Sequence, residues 1–271
     1  MVSLPTQFIP VDDTALAYDR FGSGPTVILI HAGLGDRRMW DEQIKPFGDH
    51  FDVIRFDARG FGESQRTEAP YTAAGDVLAI LDELDIDKAS LVGVSMGSQT
   101  AIEATVTWPE RVSALVAVSA RTGLPPSPAL RAGWAEVDRL LETDGIDAAN
   151  EYEMRMWFDG PNRTPNQVNQ KARQRMAELN RALFDRRDEF DSEQELDPPA
   201  HKLLDTITAP TLVVWGDSDV PDVRQAGPVI SLSIPGGRSA VIEDAGHVPQ
   251  IEHPDVFNQI VIDFLRSVHA N

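Results

Sequence analysis

Short apolar runs rich in β-branched residues punctuate the first part of the chain. Thr26–His31 (TVILIH), Asp52–Phe56 (DVIRF), Ser90–Val94 (SLVGV) and Val112–Val118 (VSALVAV) are such runs. Runs apolar on both faces are what buried parallel strands need. The first follows a turn signal, Gly22-Ser23-Gly24-Pro25. Between the strands, Ala73–Leu84 places Val77, Ile80, Leu81 and Leu84 on one helical face. Ser98–Thr107 predicts a second helix, stopping near Pro109. From about Thr122 to Leu204 the buried-strand runs vanish. This stretch is rich in Arg, Glu, Asp and Ala, with aromatics at Trp134, Trp157, Phe158, Phe184 and Phe190. It predicts several polar helices, broken at Pro125-Pro126, Gly160-Pro161 and Pro198-Pro199. Strand character resumes at Thr211–Trp215 (TLVVW) and Ala240–Ile242, and Val256–Val268 predicts an amphipathic closing helix. Strands alternating with helices at this spacing predict an α/β fold, a mostly parallel sheet with helices on both faces. A helical insertion divides it. No internal repeat or low-complexity tract interrupts the pattern.

Composition narrows the class. At 271 residues the chain suits one large domain, or one domain with an insertion. Lys plus Arg total 24 against 43 Asp plus Glu, a net charge of −19. Such a surface repels phosphate backbones and anionic lipid, so neither nucleic acid nor a membrane is an expected partner. There is no cysteine, which excludes disulfides, thiolate metal sites and a cysteine nucleophile. The opening residues, MVSLPT, have neither a basic region nor an apolar stretch, and no apolar run approaches the ~20 residues of a membrane span. The expected location is the cytoplasm.

The strongest local signal is Gly93-Val94-Ser95-Met96-Gly97. It follows a buried strand and opens a helix, the setting that holds a serine on a sharp turn. A side chain at either glycine would crowd that turn, and the helix N-terminus places free N–H groups beside the serine. A serine hydroxyl needs a base at neutral pH. Of six histidines, His247 lies in a loop, Glu243-Asp244-Ala245-Gly246-His247, between a short strand and the final helix. His31 ends a strand and is expected to orient a loop; His253 sits next to a helix start; His50, His201 and His269 read as surface residues. The base needs an acid to fix its tautomer. Gly216-Asp217-Ser218-Asp219 follows TLVVW, with Asp219 preferred as that acid and Asp217 as a turn residue. The order Ser95, Asp219, His247 is the one found in α/β-hydrolase triads. Oxyanion donors are expected from the N–H of Met96 and from the glycine loop His31-Ala32-Gly33-Leu34-Gly35. Gly33 is preferred there, with Leu34 as the alternative.

With these parts in place the sequence resembles the α/β-hydrolase superfamily over nearly its whole length. Asp57-Ala58-Arg59-Gly60-Phe61-Gly62-Glu63-Ser64 resembles the D-x-R-G-x-G-x-S loop of such enzymes, and Trp108-Pro109-Glu110-Arg111-Val112 resembles their approach to the sixth strand. The nearest branch is that of small, cofactor-free serine esterases, lactonases and haloperoxidase-like proteins. The resemblance implies an eight-stranded, mostly parallel sheet, with a helical cap between strands six and seven. The core is then 1–121 and 205–271, and the cap 122–204. The family often has His-Gly where this chain has His31-Ala32; the extra methyl is expected either to narrow the acyl site or to shift the loop, without removing a backbone donor. A serine nucleophile separates the chain from the carboxylate-dependent dehalogenases and epoxide hydrolases of this fold.

The expected chemistry is hydrolysis of a small ester or lactone through an acyl-enzyme on Ser95, with no metal and no organic cofactor. A histidine base predicts a rate that falls as pH drops through about 6–7. Carbon–carbon bond hydrolysis and cofactor-free perhydrolysis use the same residues, and a non-hydrolytic ligand-binding protein is a third alternative. Trp134, Met154, Met156, Trp157 and Phe158 are the candidates for the pocket lining, the alternative being that they form the apolar face of the cap helices. Leu34 and Trp40 are the candidates from the core, Trp40 either reaching the pocket or only pinning the first helix, and Arg155 is either an anion-steering or a solvated residue. A homodimer is left open.

Overall fold

The structure is a computed structural model that describes residues 4–122, 124–184 and 193–270; Phe190 lies outside them. Eight strands form one sheet: β1 Gln7–Val11, β2 Thr14–Gly22, β3 Thr26–Ile30, β4 Asp52–Phe56, β5 Ala89–Val94, β6 Val112–Val118, β7 Thr211–Gly216 and β8 Arg238–Ile242. Their order is β1-β2-β4-β3-β5-β6-β7-β8. β2 pairs antiparallel with β1 and β4, and every later pairing is parallel. The five apolar runs and the shorter one at Ala240–Ile242 are therefore strands, within a few residues of the expected bounds.

Alternation along each buried strand feeds two apolar layers. Ile28 and Ile30 of β3, with Leu115 and Ala117 of β6, face one cluster; Val27, Leu29, Val116 and Val118 face the other. The first layer is covered by α2 (Ala73–Glu83), α3 (Met96–Thr107) and α7 (Pro221–Ser233), through residues such as Val77, Ile102 and Ile230. The second is covered by α1 (Asp41–Gly48) and α9 (Pro254–His269), through Ile44, Phe47, Phe257 and Val261. α3 begins two residues earlier than its apolar pattern predicts, directly after Ser95.

The β1–β2 hairpin has no clear signal in the residues. Its two-residue loop is Asp12-Asp13, with Asp12 at φ +50°, rather than the Asn-Gly or Asp-Gly that announces such turns. Pro10 sits within β1, tolerable because β1 is an edge strand.

Between β6 and β7 the chain is helical: α4 (Pro128–Thr143), α5 (Ile146–Glu153) and α6 (Gln170–Arg181). α5 runs on into a π-helical turn, Met154–Asp159, which stops at Gly160 (φ +75°). α8 (Pro249–Glu252) follows the His247 loop. His269 departs from its surface reading. It is half-buried, bonds Ser90 Oγ at 3.0 Å and packs against Phe51, and burial lowers its pKa. No described helix is long and apolar enough to cross a membrane.

Candidate active site

The parallel strands all end on one side of the sheet, and the predicted chemistry gathers there, as expected for open α/β sheets. Gly33 follows β3, Ser95 follows β5, Asp219 follows β7 and His247 follows β8. Ser95 sits at φ +54°, a left-handed conformation unusual for a residue with a side chain. The flanking glycines permit it. A Cβ on Gly97 would lie 2.6 Å from the His31 carbonyl oxygen, and one on Gly93 would lie 2.7 Å from the Ser98 nitrogen. Strand and helix thus meet closer than any side chain allows. Ser95 N–H donates to Val118 O at 2.8 Å, which ties the turn to β6.

His247 Nε2 is 2.8 Å from Ser95 Oγ, and His247 Nδ1 is 2.8 Å from Asp219 Oδ2. Asp219 is fully buried and its Oδ1 also accepts the Val220 N–H at 2.7 Å. A buried carboxylate on Nδ1 makes that nitrogen the donor and leaves Nε2 free to accept the serine proton. The arrangement can activate a hydroxyl nucleophile and return its proton to a leaving group. Asp217 stands apart, accepting the Asp244 N–H at 2.8 Å as a turn residue. His31 also acts on loops. It is fully buried, with Nε2 accepting the Ala58 N–H at 3.0 Å and Nδ1 against Ala32 O at 2.8 Å.

Ser95, His247, Gly33 and Met96 together line a cavity of about 330 Å³, with Leu34, Trp134, Val137, Asp138, Glu153 and Trp157 completing its wall. A larger cavity of about 680 Å³ shares Ser95, Met96, Trp134, Trp157 and His247 and extends past Ser119, Arg121 and Thr122. Trp157 packs on the His247 ring at 4.5 Å between centroids, and its carbonyl accepts the His247 N–H at 3.0 Å.

Four expected pocket residues, Trp40, Met154, Met156 and Phe158, lie elsewhere. Trp40 is fully buried against Phe257, 6.1 Å between ring centroids, and pins the start of α1 to α9. Met154 and Phe158 are fully buried in the second core layer. Within the π-helical turn Met154–Asp159, Trp157 lies against His247 while Met154 and Phe158 face the core. Met156 packs against Gly133, and Arg155 is exposed and pairs with Asp159 at 3.7 Å.

Sequence reasoning missed Val137, Asp138 and Glu153, which carry no motif, and Ser119 and Thr122, whose position just beyond the end of β6 was the available signal. It also missed a clamp. Arg163 is 7 % exposed and Glu252 is 2 % exposed, and they pair at 2.9 Å. Arg163 donates to Phe158 O and Asp159 O at 2.7 Å each and to Asp244 O; Glu252 accepts the Gly246 N–H at 2.6 Å. One buried pair therefore fastens the π-helical turn to the loop carrying His247. Burial pushes the Glu252 carboxyl up to about 7, against the lowering by Arg163 and the Gly246 N–H. The D-x-R-G-x-G-x-S loop is structural in the same way. Asp57 accepts the Arg37 and Glu63 N–H groups, Ser64 Oγ bridges Ala17 N and Asp57 O, and Arg59 pairs with Asp76.

The sequence pattern of the alpha/beta hydrolase fold family matches residues 25–254. The chain belongs to that family. Among hydrolases of this fold it is 30% identical over 258 residues to a 2-hydroxy-6-oxononadienedioate/2-hydroxy-6-oxononatrienedioate hydrolase of Klebsiella pneumoniae, covering 89% of this chain and 86% of that protein. It is 27% identical over 264 residues to 3-oxoadipate enol-lactonase 2 of Acinetobacter baylyi, covering 93% and 94%. The solved enol-lactonase of Burkholderia xenovorans LB400 superposes with a TM-score of 0.77 at 26% identity, over 96% of this chain and 99% of that one.

Proposed function

We propose that this hydrolase-family chain is a serine hydrolase that cleaves a small carboxylic ester or lactone through an acyl-enzyme on Ser95. The observation that carries the reading is the unbroken relay Ser95 Oγ–His247–Asp219, with both links at 2.8 Å. Ser95 attacks the carbonyl while His247 takes its proton, and the tetrahedral oxygen turns toward the N–H groups of Met96 and Gly33. Donors aimed at that oxygen contribute about 3–4 kcal/mol each to such reactions. His247 then passes the proton to the leaving alcohol, Asp219 stabilising the imidazolium. Water enters, His247 deprotonates it, and the acyl group leaves as a carboxylic acid. Residues 122–204 serve as the cap, with Trp134 and Trp157 as its walls over the nucleophile. The similarity to enol-lactonases in sequence and in structure supports the lactone half of this reading.

Carbon–carbon bond hydrolysis is the second reading, because the Klebsiella relative is named a hydrolase of a hydroxy-oxo-dioate, a compound whose name contains no ester or lactone bond to cleave. The test is turnover of p-nitrophenyl esters from acetate to octanoate, with Ser95→Ala as control. Turnover abolished in the variant supports the serine esterase reading. Absence of ester and lactone turnover in the folded wild-type protein overturns it in favour of the second reading.

A further inference from the structure

The larger cavity has one wall that the proposed ester chemistry leaves unused. Directly after the carbonyl of Val118 that holds Ser95, the chain turns at Ser119 with φ +49°. Ser119 N–H is taken by Val214 O at 2.8 Å, but its Oγ has no hydrogen-bond partner among the described residues, although the residue is 1 % exposed. Three residues on, Thr122 is 7 % exposed and its Oγ1 is likewise unpartnered. Both side chains line the cavity that holds Ser95 and His247. Buried polar side-chain atoms nearly always find a partner, and leaving one unpaired costs about 1–3 kcal/mol. A non-glycine residue in the left-handed region adds strain of about the same order. Two unpaired hydroxyls and one strained residue, beside the nucleophile, are the signature of groups kept for a ligand.

The charges of the same wall say what kind of ligand. Glu103, Glu193 and Glu195 face the cavity, against one guanidinium, Arg121. Arg121 is already engaged, lying 5.6 Å over the Trp134 ring and donating to Leu124 O at 2.7 Å. A substrate carboxylate entering here meets a net negative lining, in a cleft where low-dielectric walls strengthen the field.

We propose that Ser119 and Thr122 form a specificity subsite for an uncharged hydroxyl or carbonyl group carried by the substrate away from its scissile bond. The substrate class is then a neutral, oxygenated ester or lactone, and not a carboxylate-bearing one. The claim rests on the ester-hydrolase reading for its reaction and on the cavity wall for its specificity.

The test compares kcat/KM on matched pairs. Propyl butyrate against 2,3-dihydroxypropyl butyrate probes the alcohol side; methyl butyrate against methyl 3-hydroxybutyrate probes the acyl side; methyl hydrogen succinate carries the added carboxylate. Wild type is expected to prefer the hydroxylated member of at least one pair by about tenfold, a typical discrimination for one or two hydrogen bonds. Ser119→Ala with Thr122→Val is expected to bring that ratio to within about twofold of unity. The ratio is taken within each variant, so a general loss of activity divides out. The succinate half-ester is expected to react at least about tenfold more slowly than methyl butyrate. No hydroxyl preference in wild type, a preference that survives the double substitution, or a faster half-ester each overturns the subsite while leaving ester hydrolysis standing. Binding of 2,3-dihydroxypropyl butyrate and of methyl 3-hydroxybutyrate to Ser95→Ala by calorimetry separates the two claims. If wild type turns over no ester, the reaction reading falls, and a loss of binding of about tenfold on adding the Ser119 and Thr122 substitutions to Ser95→Ala keeps the subsite. Without such weakening there, the subsite falls as well.

Discussion

Removing the Arg163 side chain tests whether the clamp holds the His247 loop. Arg163→Ala removes a guanidinium that is 7 % exposed, leaves Glu252 at 2 % exposure without its 2.9 Å partner, and strips the donor from the carbonyls of Phe158, Asp159 and Asp244. Breaking one half of a buried ion pair costs about 3–5 kcal/mol, and the stranded carbonyls keep the value at the upper end unless water fills the space. Total stabilities are about 5–15 kcal/mol, so the variant loses a large share of its stability. Urea unfolding at pH 8, followed by circular dichroism, reads this as a shifted midpoint at constant slope. At pH 6 the cost is expected to shrink, because Glu252, pushed up to about 7 by burial, is then largely protonated and the charge-pair contribution is gone. Loss of the Asp244 anchor also lets the His247 loop shift. A misplacement of about 1 Å costs on the order of 100-fold in rate, so kcat is expected to fall far more than KM rises. A loss under about 1 kcal/mol at pH 8, or a cost that does not depend on pH, refutes the reasoning.

Glu252→Gln keeps an acceptor for the Gly246 N–H and removes the titration. A folded pKa of about 7 above an ordinary 4.5 means a stabilising contribution present below about 4.5 and lost as pH rises through about 7. That contribution amounts to about 3 kcal/mol, so wild type should lose stability relative to the variant as pH rises from 5 to 8, read by thermal unfolding; parallel curves count against it. Asp219→Asn is expected to lower kcat by on the order of 10⁴ on the best p-nitrophenyl ester, since the wrong tautomer is then held; a loss below tenfold rules Asp219 out as the acid. Gly97→Ala should abolish activity and unfold the protein at lower temperature, because its Cβ would stand 2.6 Å from His31 O; a stable, active variant contradicts the close strand–helix contact. Trp40→Ala should destabilise by about 3–5 kcal/mol through a core cavity without changing the ester chain-length profile, which places Trp40 in packing and not in recognition.

Much of this protein is set locally and was therefore legible in the residues. The runs TVILIH, DVIRF, SLVGV, VSALVAV and TLVVW are apolar on both faces, and only a sheet covered on both sides satisfies them. Gly93 and Gly97 mark a turn whose contacts admit no side chain, so the position of Ser95 followed from its neighbours. Asp219 and His247 were legible because each follows a recognisable strand, and strand ends converge on one edge of a parallel sheet. Tertiary structure decided the rest. Whether an aromatic in the insertion faces the cavity or the core is not marked in the residues: within the π-helical turn at Met154–Asp159, Trp157 lies against His247 while Met154 and Phe158 face the core. Arg163 and Glu252 are 89 residues apart and carry no mark of their meeting. Ser119 and Thr122 look like ordinary loop residues until the fold leaves their hydroxyls unpartnered beside the cavity. Periodicity records which face of an element is apolar; which polar groups lose water together depends on distant segments packing against one another.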